Sequence, residues 1–216
     1  MTLSEILAQI GAYTDQSTDI PTGDELSVRV SVVGQALQEW GNAYQWKQLR
    51  IPYSTTVVAG VSIGLPANFK KMMSIAVDTS LPVSNNREYK EIRAEDRFNK
   101  VETDKYFYIT GDPSTGRVMN IFPSLASGTP IKFDYQSFPS SMATLNDICV
   151  CPHPEFITKR AIGFMLEIRS DTRFPQVKAD ADVLLSRMIE EEDSPAGSEV
   201  GEVRNTYDKG NFIIGW

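Results

Sequence analysis

A chain of 216 residues with two cysteines can bury roughly 70% of its unfolded surface, so its core needs no disulfide or metal staple. Its net charge is −7 and no basic run exceeds two residues, as at Lys70-Lys71, which argues against a surface built to grip nucleic-acid phosphates. No apolar run approaches the roughly 20 residues of a membrane helix, and MTLSEILAQIGAYTDQ lacks the basic-then-apolar order of a signal peptide, so the expectation is a chain made in a reducing cytoplasm.

Thr2-x-x-Glu5 has the form of a capping box. It precedes Leu3, Ile6, Leu7, Ile10 and Tyr13, which share one helical face, and predicts a helix over about 3–14. A turn-rich connector follows over 15–23. A second box, Thr22-x-x-Glu25, opens a longer stripe: Leu26, Val30, Val33, Leu37, Trp40 and Tyr44. Spacings of four and three put them on one side of a helix over about 24–47. That face suits the core of a helical bundle, and the same helix could also serve a ring interface.

From Arg50 the apolar period changes to two. Strands are expected over 53–58, 61–65 and 74–77. Lys105–Thr110 and Arg117–Phe122 flank the turn Gly111–Gly116 as a hairpin, and 131–138 alternates again. Six or seven strands, read as antiparallel, are expected between 50 and 145. At Pro152 the chain turns helical: Phe156, Ile157, Ala161, Phe164, Met165 and Ile168 form one face, with Pro154 suited to a helix start. A last helix over about 176–190 carries Val177, Ala181, Leu184, Leu185 and Met188. The resulting fold class is α+β. A helical bundle domain is formed by 1–49 and 152–193, a β-rich domain of 50–151 is inserted in it, and 194–216 is a linker and docking tail.

Candidate chemistry is sparse. Cys149, Cys151 and His153 lie within five positions, but zinc wants four ligands and every Cys and His is spent after three. Buried structural cysteines and a capping or surface histidine are the expected roles. Neither a P-loop nor a GxGxxG is present. Asp96, Glu102 and Asp104 are the best carboxylate candidates for glycan hydrolysis, and Tyr53, Tyr89, Phe98, Tyr106 and Tyr108 could supply sugar platforms. Alternating aromatics in strands are more simply core and cross-strand pairs. The expectation is a protein that is no enzyme, with no cofactor, no metal and no catalytic residue; a carbohydrate-binding or glycan-hydrolysing module is the alternative.

The order of elements and its aromatic, Pro and Gly punctuation carry a resemblance. A short helix precedes a longer one ending Trp40-Gly-Asn-Ala-Tyr-Gln-Trp46, followed by Ile63-Gly-Leu-Pro66. Tyr106-Phe-Tyr-Ile109 leads through a Gly turn into Val118-Met-Asn-Ile-Phe-Pro123, and Ile131-Lys-Phe-Asp-Tyr135 precedes Asn146-Asp147 and Pro152-x-Pro154. Over about residues 1–190 this resembles the head-to-tail connector adaptors of tailed bacteriophages. The resemblance implies a virion neck protein, assembled in the host cytoplasm into a homo-oligomeric ring, usually of about twelve copies. Its partners would be the portal protein and a tail or nozzle protein, with dsDNA passing through the channel without specific binding and no membrane contact.

Two sets of residues stand out. Trp40, Tyr44 and Trp46 sit where the period changes and are expected to anchor the junction of long helix and β region. Phe212, Ile213, Ile214 and Trp216 form an apolar tail in which Phe212, Ile214 and Trp216 alternate at strand spacing. They are the expected partner-docking residues, meeting the portal or a neighbouring copy.

Overall fold

A computed structural model describes residues 1–57, 62–101 and 104–193. It has helices at both termini and a mixed, curled sheet between them, the expected α+β class.

Helix α1 runs Leu3–Thr14 behind the expected capping box. The Glu5 amide donates to Thr2 Oγ1 at 3.3 Å and the Thr2 amide to Glu5 Oε2 at 2.8 Å, filling two of the donors a helix start leaves unpaired. Helix α2 runs Asp24–Ala43, and its second capping box does not form. The helix begins behind Gly23, whose φ of 65° suits glycine, which puts Glu25 one position too early to reach back. Its carboxylate instead takes Arg29 at 2.7 Å. The helix also stops short of residue 47, because Tyr44 is extended (φ −150°, ψ 176°). Helix α3, Pro154–Ile168, starts on its proline, and α4 spans Phe174–Asp193, a turn longer than the periodicity indicated.

Helix α3 is central: α1, α2 and α4 all pack on it. The core around it joins Leu3, Leu7, Val33, Leu37 and Trp40 to Phe156, Ile157, Leu166 and Ala181. Cys149 and Cys151 are buried in this core as free thiols, though the segment holding them is irregular rather than a strand.

Among the described residues the sheet has eight strands: β1 Arg50–Thr56, β2 Ser62–Gly64, β3 Phe69–Met72, β4 Ala76–Asp78, β5 Glu88–Glu91, β6 Tyr106–Asp112, β7 Gly116–Phe122 and β8 Pro130–Ser137. Their order is β1-β8-β4-β5-β6-β7-β2, with β3 also beside β8. One pair departs from the antiparallel expectation: β5 and β6 run parallel, Lys90 opposite Tyr106. The expected hairpin is β6–β7, closed by Asp112, whose carboxylate accepts the amides of Ser114 and Thr115 at 2.7 and 3.0 Å. A second apolar cluster, separate from the helical one, fills the sheet: Phe69, Tyr89, Phe107, Met119, Ile121, Ile131, Phe133 and Tyr135.

Candidate functional site

The helices and the sheet meet at the C-terminal end of α2. The last four carbonyls of any helix lack an intrahelical donor, and here the donors come from outside the helix. Trp46, in the extended link after α2, turns back so that its Nε1–H donates to the Trp40 carbonyl at 2.6 Å. Lys70 of β3 donates from Nζ to the Gly41 carbonyl at 2.6 Å. Gln136 of β8 donates from Nε2 to the Tyr44 carbonyl at 2.8 Å. A cation at the negative end of a helix dipole is favourable, yet burial, reinforced by Lys71, draws the Lys70 ammonium below its ordinary pKa.

Aromatic packing closes the same corner. Trp40 and Trp46, both buried, stack with ring centroids 5.3 Å apart and planes 22° apart, and Tyr44 meets Trp46 edge-on at 5.3 Å. Gly41 allows the close approach: a Cβ there would stand 2.7 Å from Cδ of Pro139. The tyrosine hydroxyl binds Asp193 at the end of α4, which raises its pKa, and the Lys47 amide donates to Glu192 at 2.8 Å. Within the sheet beside the junction, Arg50 Nε on β1 donates to Asp134 on β8 at 3.0 Å.

Within the helical part, charge ties the elements together. Arg160 of α3 is buried and reaches Glu39 on α2 and, at 3.0 Å, Asp182 on α4. Arg29 and Arg169 share Asp15 and Glu25, and hydrogen bonding to Arg169 leads in lowering the Asp15 pKa. Lys70, Gln136 and Arg160 escaped the sequence reading. The orphan carbonyls at the end of α2 were the available signal for the first two.

The remaining candidates lie outside the helix–sheet junction. Burial pushes the Cys151 thiol up to about 12; its Sγ faces the His153 carbonyl, while the imidazole lies 3.2 Å from Glu191. Among the described residues no three Cys, His, Asp or Glu side chains gather at metal-binding distance. Tyr89 and Tyr106 are buried, Tyr53 packs on Phe133 at 5.2 Å and Tyr108 on Phe122 at 6.2 Å. Tyr106 stacks on the same Phe122, Arg97 lies over the rings of both Phe98 and Tyr108, and of the five Phe98 is the most exposed, at 78%. Asp96 and Asp104 are exposed, and Glu102 lies outside the described residues, as do the docking residues Phe212, Ile213, Ile214 and Trp216.

No helix among the described residues is long and apolar enough to cross a membrane. No curated protein matches the chain. The family model for SU10 adaptor protein matches residues 1–189, from the first helix through the whole sheet to the last turn but one of α4. The chain therefore belongs to the SU10 adaptor protein family, a family of phage head-to-tail adaptors, and is a structural component of the virion.

Proposed function

We propose that this chain is one subunit of a closed connector ring, of about twelve copies, which joins the portal protein to the tail or nozzle and lets dsDNA pass through its centre. The observation that carries the reading is the family match across residues 1–189. In this reading residues 1–49 and 152–193 form a helical domain that meets neighbouring copies and the portal, and 50–151 form a β domain that faces the tail. Trp40, Tyr44 and Trp46 hold the two at a fixed angle. Residues 194–216 leave the subunit to dock in trans. The role needs stiffness and shape rather than chemistry, and no catalysis or cofactor is assigned.

Moving DNA must not be gripped, because phosphates held by Lys and Arg would act as brakes. The net charge of −7 suits a neutral-to-acidic channel wall. The test mixes the full chain with portal-bearing, tail-less particles and images them. A ring seated below the portal is expected. A chain that stays monomeric and never joins the portal overturns the reading, and a continuous Lys/Arg belt around the channel overturns its account of DNA passage.

A further inference from the structure

An apolar groove lies between three helices of the helical part. Helix α3 forms its floor with Ile162, α1 supplies one wall with Ala12 and Tyr13, and α4 the other with Val177. Its volume of about 480 Å³ falls in the range, roughly 300–1,000 Å³, of pockets that enclose a small ligand or a few side chains. Tyr13 is 42% exposed along it. Glu155 and Asp180 line it together with Lys159.

We propose that this groove receives the segment Gly210–Trp216 of a neighbouring copy. The proposal rests on the ring reading and names the acceptor for its docking segment. The chemistry matches: Phe212, Ile213, Ile214 and Trp216 are the residue types such a groove takes, and of its three charged lining residues two, Glu155 and Asp180, are acidic and complement Lys209 beside the segment. The reach suffices. From Asp193 to Phe212 the chain spans up to about 60 Å, whereas a folded unit of this size is about 40 Å across.

The direction favours a neighbour over the parent chain. The end of α4 is pinned at the sheet junction by Tyr44 to Asp193 and by the Lys47 amide to Glu192. It therefore leaves the helical part about 20 Å along α4 from Asp180 at the groove, and a segment returning to its own groove must reverse. A groove on one face and an inserted segment from another position make a head-to-tail contact between unlike surfaces, the kind that closes into a ring.

The test uses the full chain with Phe212 replaced by p-benzoylphenylalanine, mixed from ¹⁴N- and ¹⁵N-labelled preparations and irradiated at rising concentration. Mixed-isotope cross-links from position 212 to peptides holding Tyr13, Ile162 or Val177 are expected. Ala12→Arg, which fills the groove from an exposed helix position, should cut their yield at least tenfold without shifting the melting temperature of the dilute chain. Single-isotope links to the groove would show the segment on its own subunit and overturn the proposal. Links elsewhere, or no links between copies, overturn it too. Portal joining measured on the chain with an unblocked groove separates the two readings: a ring that forms while groove links are absent there refutes the groove and leaves the ring standing.

Discussion

Trp40 is fully buried beside the helix–sheet junction. Trp40→Ala removes a fully buried indole from a stacked pair, and a deletion of that size costs about 3–5 kcal/mol. The stack with Trp46 accounts for about 0.5–1.5 kcal/mol of it. Trp40 Nε1 is buried and finds no acceptor, a state that itself costs about 1–3 kcal/mol. Trp40→Phe keeps an aromatic face and removes that orphan donor, so it should cost under about 2 kcal/mol, well below alanine. The assay is urea unfolding followed by circular dichroism. With a slope near the upper end of the usual range, about 2–3 kcal/mol per molar, alanine should lower the midpoint by roughly 1–2 M and phenylalanine by well under 1 M. An unchanged midpoint for Trp40→Ala, or equal losses for the two variants, would refute the reasoning.

Glycine substitutions within α2 should split by position. Gly41→Ala drives a Cβ to 2.7 Å from Cδ and 2.9 Å from Cγ of Pro139 and should lower stability by about 1–3 kcal/mol; Gly34→Ala meets nothing within 4 Å and should raise it by up to about 1 kcal/mol, both read as melting temperatures. Cys151, with its thiol pushed up to about 12 by burial, should resist a disulfide reagent at pH 8 in the native chain and react at once in urea. Equal rates in the two states would contradict its placement. Asp171 is held down to about 2, chiefly by hydrogen bonding to the Arg173 side chain. A lowered carboxyl pKa gives stability that is full above the ordinary value of 3.8 and is lost as pH falls through about 2. Arg173→Ala should move the Asp171 titration, followed by carboxyl-carbon NMR, up toward 3.8, and an unmoved curve would discount the pair.

The helices were legible because burial on one face leaves a 3.6-residue stripe: Leu3, Ile6, Leu7 and Ile10 on α1 and Val33, Leu37 and Trp40 on α2 all lie in the core. Where backbone geometry decides, the pattern misleads. Nothing in the stripe shows that Tyr44 is extended, so α2 was drawn too long. Strands β3 and β5 were missed because Phe69-Lys-Lys-Met72 and Glu88-Tyr-Lys-Glu91 carry too few apolar residues to alternate; each is held by pairing with strands distant in the chain, which sequence-local periodicity cannot register. The cluster of Trp40, Tyr44 and Trp46 was visible as three aromatics at a change of period. Its partners Lys70 and Gln136 were invisible, since they are set by a sheet register that joins residue 136 to residue 50.

That register has a topological consequence. Arg50 and Gln136 are opposite one another, and the ladder runs on to Thr56 opposite Pro130, so the strand that leaves the helices and the strand that returns to them form one antiparallel pair. To the helical core, everything between is the tip of a long hairpin. Closing it brings together residues about 85 apart, which costs only about 2 kcal/mol more than closing a ten-residue loop, because the penalty grows with the logarithm of length. The material between Thr56 and Pro130 could thus lengthen, shrink or be exchanged while the helices still meet the same two strand ends; of the contacts at the junction, the Lys70 bond to Gly41 is one that a graft at these points would have to replace. A scaffold arranged in this way can keep one mating surface fixed while the opposite end is remodelled to fit a different neighbour.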